Sequence, residues 1–255
     1  MSTLAPQRSA RTGNRIPPGS FRRQERRSTL RVMIPHEQST IEQEIAAVYR
    51  LYSALAREPD PESGLGGRLL YVGELDPAGC RLVRAANIAG AASLAASADA
   101  VVQRQAIREG VADFLVTSLD EALRILKNEI RKRQAVAVCV AETPRTLARQ
   151  MAERGVQPDL LAPSATEAAE GAVFLAQGAR RVEAEPQPEG RKFLVLEIPA
   201  AWAQRIAEFD ALLAESVAAA DYANRRWLRL SPRYLGPVAR RLRSLECDEE
   251  TAARL

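Results

Sequence analysis

Residues 66–96 read GGRLLYVGELDPAGCRLVRAANIAGAASLAA, and this stretch decides the fold of the chain. Residues 68–72 form a short apolar run suited to a buried strand, and 82–88 fit the helix that follows it. Residues 90–96 read as a second strand, although their alanine content suits a helix nearly as well. The same alternation continues to Ser164. Alternating strands and helices of this size predict a parallel sheet with a ligand crevice at the carboxyl ends of its strands.

Three further units extend this alternation. Strands are predicted at 110–116, 135–140 and 159–162, and helices at 99–109, after Ser118 and at 144–154. Ser118 and Glu121 form a capping box at the start of the middle helix. The strand at 135–140 (AVAVCV) is apolar throughout, which is typical of a strand covered on both faces. The predicted fold class is therefore α/β, a Rossmann-like parallel sheet with helices on both faces, followed by a C-terminal helical extension.

The first strand-to-helix turn, 73–80, reads GELDPAGC and is not a glycine-rich phosphate loop. A pyrophosphate needs free backbone N–H groups at the start of the helix and no anion nearby. Glu74 and Asp76 would repel it, and Pro77 removes one N–H donor. Gly79 is the one glycine that remains near the start of the helix.

Length and composition set broad limits on the function. A chain of 255 residues with 46% hydrophobic residues can bury one core, or one core and a small appendage. Its apolar runs are shorter than the roughly 18 to 20 residues of a membrane helix, and residues 1–28 lack a secretory signal. Three cysteines without paired spacing argue against a disulfide framework or a zinc site. We expect a cytoplasmic protein without a membrane segment or a bound metal.

The net charge of +4 conceals a basic amino-terminal tail. Residues 1–32 contain eight arginines and one acid, Glu25, a charge of +7 that leaves −3 for the rest of the chain. The tail has few apolar residues, so we expect 1–38 to be disordered. Contact of the tail with nucleic acid is the weaker interpretation, because no aromatic stacking platform accompanies the charge.

Four pieces of sequence together resemble a known family. They are GGRL at 66–69, the run through Ala85 and Gly90 to Leu94, Ala95 and Asp99, LDEAL at 119–123 and RGVQPD at 154–159. In this order and spacing they are similar to the NAD-binding domain of the urocanase (urocanate hydratase) family, over about residues 66–164. The resemblance implies a Rossmann-like domain. It also implies NAD as the cofactor, which that family uses as an electrophile in adding water to urocanate.

The resemblance places the cofactor crevice at strand ends that this chain has altered. Glu74 and Asp76 stand in the family's run of glycines, and Ser97 stands where an acid would hold the adenosine ribose. Glu142-Thr143 replaces a glycine-asparagine pair, and Pro163-Ser164 replaces an aspartate-glutamine pair. The crevice positions are Gly73, Glu74, Asp76, Gly79, Ser97, Glu142, Thr143 and Ser164. NAD is therefore implied by the resemblance alone, and no cofactor is assigned.

We predict no catalytic residue, since the family's core catalytic domain has no recognisable counterpart in this sequence. The one histidine, His36, lies at the border of the tail and is expected to be an exposed polar residue. Cys80 lies near a helix start, but Glu74 and Asp76 oppose the effect of the helix dipole on its thiol. Cys139 is expected to be buried and inert, and Cys247 lies in an acidic run.

The chain divides into four predicted segments. They are a disordered basic tail (1–38), a helix and linker (39–65), the urocanase-like Rossmann domain (66–178), and a C-terminal strand plus helices packed on that domain or on a dimer partner (179–255). A further strand is predicted at 172–176. Within the last segment we predict a strand at 193–198 and a long helix opened by Pro199, whose apolar stripe covers the sheet or pairs with a second subunit. The arginine-rich stretches 225–230 and 240–243 favour an amphipathic helix over a nucleic-acid surface.

Two functions remain open at this point. The first is a non-catalytic ligand-binding or scaffolding module with a degenerate dinucleotide site, working as a homodimer. The alternative is a divergent enzyme, related to lyases and hydratases, that binds NAD or a different small, cationic ligand in the same crevice. One of the crevice carboxylates would then act as a general base.

Overall fold

The structure is a computed structural model, and it describes residues 40–57, 60, 62–184 and 188–254. The predicted tail, His36 and the linker residues Pro59 and Pro61 lie outside these residues. The described part contains nine α-helices and eight strands. None of its helices is both long and apolar enough to cross a lipid bilayer.

The elements alternate as the sequence predicts. The parallel sheet consists of β1 (Leu69–Glu74), β2 (Ala92–Ala96), β3 (Phe114–Val116), β4 (Val136–Val140), β5 (Leu160–Leu161) and β6 (Arg180–Arg181). The helices around it are α1 (Thr40–Leu55), α2 (Pro77–Ala89), α3 (Ala100–Arg108), α4 (Leu119–Arg131), α5 (Pro144–Glu153) and α6 (Ala169–Ala176). The C-terminal part contains β7 (Arg191–Glu197), α7 (Ile206–Ser216), α8 (Tyr222–Tyr234), β8 (Leu242–Asp248) and α9 (Glu249–Arg254).

The six strands of the main sheet are parallel and lie in the order β3-β4-β2-β1-β5-β6. This arrangement confirms the Rossmann-like α/β fold. The chain builds β2, β3 and β4 on one side of β1 and then places β5 on the other side. The order reverses between β1 and β5, and in open α/β sheets a ligand crevice lies at such a switch point, outside the carboxyl ends of the strands.

The ambiguous alanine-rich stretch is a strand. Gly90, with φ +99°, ends α2 in the left-handed conformation, and β2 then pairs with β1 and β4 along its whole length. All five residues of β2 are buried. Hydrogen bonding to strands on both sides outweighs the helix propensity of alanine, which is a weak preference of less than about 1 kcal/mol per residue.

The strand predicted at 172–176 is wrong, because this run lies in α6. Phe174 is buried there while Val173 and Leu175 are exposed, so only one face of the run contacts the core. The run is too short for its pattern to distinguish the period of a helix from the period of a strand. The strand on this side of the sheet is instead the two-residue β6, which the sequence analysis missed.

The long helix predicted after Pro199 is also wrong. A short 3₁₀ turn (Ala200–Trp202) comes first, and α7 begins only at Ile206. The predicted apolar stripe still forms one surface across this interruption of the helix, since the ring centroids of Trp202 and Phe209 lie 6.0 Å apart. Phe209, Leu213 and Val217 are buried with side chains of β7 and β8. The stripe therefore covers the β7–β8 pair, and not the parallel sheet that the first of the two predicted alternatives named.

The C-terminal part contains a strand that the sequence analysis missed. Residues 240–243 were assigned to an amphipathic helix, but β8 begins at Leu242 and pairs antiparallel with β7. The other stretch that was assigned to an amphipathic helix, 225–230, does lie in a helix, α8. Arg243 lies buried in β8 because Asp210 of α7 accepts hydrogen bonds from its Nε (2.6 Å) and Nη2 (3.0 Å). Such a bidentate pair satisfies a charge that sequence patterning would place in solvent.

Helix α8 attaches the C-terminal part to the main sheet. The buried ring of Trp227 contacts the rings of Tyr49 and Tyr52 on α1, and its Nε1 donates to Ser244 Oγ (3.1 Å) on β8. The neighbouring Arg226 donates through Nε to the carbonyl oxygen of Ile88 (2.8 Å) at the end of α2. The C-terminal part is therefore joined to α1 and α2 by specific contacts.

Candidate functional site

The carboxyl ends of β1, β2 and β4 lie side by side, with Glu74 opposite Ala96 and Ala96 opposite Val140. The turns after these strands carry most of the predicted crevice positions, including Ser97 and Glu142. Ser164 follows β5 at the same edge of the sheet. The structure therefore places all eight positions at or next to one edge, although their side chains have very different surroundings.

Asp76 occupies the start of α2. Its Oδ1 accepts a hydrogen bond from the backbone N–H of Gly79 (2.7 Å), and Pro77 lies in the first turn. The helix therefore begins at Pro77, five residues before the predicted start at 82. The first N–H groups of a helix attract anions because they have no partner within the helix. In this chain, the carboxylate of Asp76 takes the place of such an anion.

Gly79 allows α2 to approach β1 closely. A Cβ at this position would overlap the carbonyl oxygen of Glu74 and lie 3.3 Å from Cγ1 of Val72. Close packing of the first helix on its strand is one of the separate roles that glycines have in dinucleotide-binding turns. The glycine retained by this chain therefore has the packing role.

Gly73 lies at an irregularity where β1 ends. Its φ is +77°, and the register with β2 shifts between Tyr71 and Gly73. A Cβ on Gly73 would lie 3.6 Å from Cβ of Ala165 and 3.9 Å from Oγ of Ser164. The 3₁₀ turn Ser164–Thr166 therefore packs on the end of β1, beside the switch point, while the Ser164 side chain is exposed.

Ser97 is buried and shapes the turn between β2 and α3. Its Oγ accepts a hydrogen bond from the N–H of Asp99 (3.3 Å), and its carbonyl oxygen accepts one from Nε2 of Gln103 (2.7 Å). Asp99 in turn caps α3 by accepting from the N–H of Val101 (2.7 Å). Ser97 therefore contributes to the turn rather than to an open surface.

Thr143 and Glu142 lie at the start of α5. Thr143 caps this helix, with its Oγ1 accepting from the N–H of Thr146 (3.2 Å). The half-buried Glu142 accepts from Nε2 of Gln150 (2.8 Å). Beneath them, the buried Tyr71 donates its hydroxyl proton to the carbonyl oxygen of Pro144 (2.7 Å) and so fixes α5 to β1.

The edge is acidic. Burial raises the pKa of Tyr71, and the nearby carboxylates of Glu170 and Glu74 raise it further. Glu170 lies in the first turn of α6, and the sequence analysis missed it because that stretch was assigned to a loop and a strand. An acid directly before an apolar run is a helix-start signal that could have found it. Glu74, Asp76, Glu142 and Glu170 make this edge unfavourable for anions.

The three cysteines have little thiolate character. Burial raises the pKa of Cys80 to about 11, although Arg84 opposes the shift. Burial also raises the pKa of Cys139 to about 11, with a further contribution from Glu74. The pKa of Cys247 is raised chiefly by burial and next by Asp248. At neutral pH these side chains are thiols, which are poor nucleophiles.

The residues at this edge do not fit a dinucleotide. The pyrophosphate position at the start of α2 has one N–H bonded to Asp76 and lacks another at Pro77, and Glu74 adds negative charge. The position that the resemblance predicts for the ribose is Ser97, which is buried. Within the described ranges, no group of three or more His, Cys, Asp or Glu side chains could hold a metal ion.

A family model matches most of this chain. The family model for the urocanase Rossmann-like domain matches residues 49–227, which is more than half of the chain. The match extends beyond 66–164 in both directions, from α1 to α8. Its first and last residues, Tyr49 and Trp227, are in contact, with ring centroids 4.9 Å apart. The matched segment thus begins and ends at one place on the fold. Since the match covers more than half of the chain, the chain belongs to the urocanase family through its Rossmann-like domain.

Proposed function

We propose that this protein is a non-catalytic ligand-binding or scaffolding module that keeps the Rossmann-like scaffold of the urocanase family but not its dinucleotide site. One observation carries the proposal, the hydrogen bond of 2.7 Å from the N–H of Gly79 to the carboxylate of Asp76. It fills the position at the start of α2 where the phosphates of a dinucleotide would accept hydrogen bonds.

The magnitudes support loss of dinucleotide affinity. A phosphate would have to replace a hydrogen bond to a charged group, and such bonds contribute roughly 1.5–3 kcal/mol. A phosphate about 4 Å from a carboxylate near the protein surface also experiences a repulsion of about 4 kcal/mol at an effective dielectric constant of about 20. Together these terms correspond to several powers of ten in the dissociation constant.

Thermal unfolding and equilibrium dialysis with NAD test this proposal. We expect no rise in the melting temperature of the wild-type protein with NAD, because a ligand stabilises only a fold that it binds. The double variant E74Q/D76N is the matched control. It keeps the side-chain shapes and a capping oxygen while removing both charges, so any latent affinity for NAD should increase in it. NAD retained through purification, or a clear stabilisation of the wild type by NAD, would contradict the proposal.

A divergent enzyme, related to lyases and hydratases, is the second candidate. It is favoured by the half-buried carboxylate of Glu142, which Gln150 positions at the crevice, and by the acidic surroundings of Tyr71. Such an edge suits a neutral or cationic small ligand. Thermal shifts with imidazolium and guanidinium salts, compared between wild type and E142Q, test this candidate, together with an absorbance assay for loss of urocanate. Shifts that are equal in both proteins, with no loss of urocanate, would count against it.

A further inference from the structure

The two outer strands of the parallel sheet carry opposite kinds of side chain. β6 ends one edge with Arg180 and Arg181, both exposed. β3 ends the other edge with Phe114 and Leu115, which are 46% and 41% exposed. An edge strand offers backbone N–H and C=O groups to any other strand, and charged side chains are a common means of preventing such pairing. One edge of this sheet has that protection, and the other does not.

The exposed apolar surface at β3 lies on both faces of the sheet. Consecutive residues of a strand point to opposite faces, so neither the layer above nor the layer below covers this strand fully at Phe114 and Leu115. Helix α3, which leads into β3, adds the exposed side chains of Val101 (63%) and Ile107 (41%). Among the described residues, four of the eight large apolar side chains that are exposed therefore belong to two consecutive elements at this edge.

We propose that β3 is a homodimer interface, in which it pairs antiparallel with β3 of a second copy about a two-fold axis at Leu115. This pairing joins the two parallel sheets into one. It sets Phe114 opposite Val116 of the second copy and Leu115 opposite itself, and apolar pairs of this kind stabilise adjacent strands. At the ends, Asp113 lies opposite the neutral Thr117, so no like charges face each other.

A second copy fits this edge better than a head-to-tail chain of copies. In a head-to-tail contact, β3 would meet β6, and Arg180 and Arg181 would lose water against Phe114 and Leu115. Burying charged side chains against apolar ones is costly, whereas the centre of the contact of β3 with itself brings together only the apolar side chains of Phe114, Leu115 and Val116. The two-fold contact also closes on itself, which is the commonest arrangement of soluble homo-oligomers. The charge distribution therefore selects a closed dimer.

The mass of the 255-residue chain in solution tests the proposal. We expect sedimentation or light scattering to give a dimer for the wild type at micromolar concentrations, and monomers for L115E and for L115K, because like charges then meet at the axis. Mixing equal amounts of the two variants should restore the dimer, since a carboxylate from one copy would then face an ammonium group from the other. The exposed Val173 of α6, next to the opposite edge, supplies the control: V173E should stay dimeric.

Hydrogen exchange provides a second measurement, which does not depend on the fold of a variant. Those backbone amides at 114–116 that face away from β4 should be protected in the wild-type dimer and should lose protection on dilution to the monomer. A wild type that is monomeric throughout, or dimers that persist in both L115E and F114E, would overturn the proposal. Failure of the mixed variants to associate would overturn the pairing centred on Leu115.

Discussion

At the scale of single residues, capping bonds decide what the acidic first turn does. Sequence reasoning treated Glu74 and Asp76 as charges that repel a phosphate from a distance. The structure adds that Asp76 accepts a hydrogen bond from the N–H of Gly79, so this N–H group already has a partner. A charge can be read from the sequence, but the backbone group that it contacts depends on where the helix begins.

Gly79 provides a residue-scale prediction. Gly79→Ala should lower the free energy of unfolding by about 1–3 kcal/mol, because its Cβ would meet the carbonyl oxygen of Glu74, a backbone atom that cannot rotate away. Urea unfolding followed by circular dichroism measures the change. As a control, A78G alters the neighbouring exposed position without adding an atom. An alanine variant at 79 as stable as the wild type would refute the packing role of this glycine.

At the scale of elements, helix ends were predicted better than short strands. Ser118 and Thr143 cap the helices that follow them, as local sequence signals indicate. Glu121 completes a variant of the predicted capping box, since its carboxylate accepts from the N–H of Thr117 (2.9 Å). In contrast, β5 and β6 have two residues each, and α6 was mistaken for a strand. Capping is local, whereas short strands exist only through their neighbours.

The cap of α4 predicts a pH dependence. Hydrogen bonds from the N–H and hydroxyl groups of Thr117 lower the pKa of Glu121 below its ordinary value of 4.5. A carboxylate with a lowered pKa in the folded state stabilises the fold above the unfolded pKa, and this contribution is lost as the pH falls through the folded pKa. E121Q should therefore be less stable than the wild type at pH 7, and the difference should shrink on acidification below about pH 4.5.

Urea titrations of both proteins across this pH range measure that difference. E153Q provides the control, because Glu153 is an exposed carboxylate near the end of α5 whose partner is Arg149 on the surface. A difference between wild type and E121Q that is independent of pH would show that the charge of Glu121 does not contribute through this bond.

At the scale of the whole molecule, two apolar clusters meet at α8. Trp227 belongs to the core that surrounds the parallel sheet, and its neighbour Leu228 belongs to the smaller cluster between α7 and the β7–β8 pair. Adjacent residues of one helix therefore serve both clusters. A two-stranded sheet is marginal by itself, so the C-terminal part depends on this attachment.

We accordingly predict that the chain unfolds in a single transition. Each cluster has its own tryptophan, Trp227 in the larger and Trp202 packed against the smaller. In W202F the fluorescence reports the larger cluster, and in W227F it reports the smaller one. Within each variant, the fluorescence midpoint in urea should coincide with that of far-UV circular dichroism. An earlier fluorescence midpoint in W227F alone would show that the C-terminal part unfolds separately.

The sequence by itself determined the α/β class, the resemblance to the urocanase Rossmann-like domain and a first turn that is not rich in glycine. These features depend on periodicity, capping and residue type, all of which act over a few neighbouring positions. Only the tertiary structure decided the order of the strands, the pairing of β7 with β8, the position of Glu170 near Tyr71 and the unequal edges of the sheet. These features join residues far apart in the chain, and the partner that hydrogen bonding and burial select for a strand cannot be read from the strand alone.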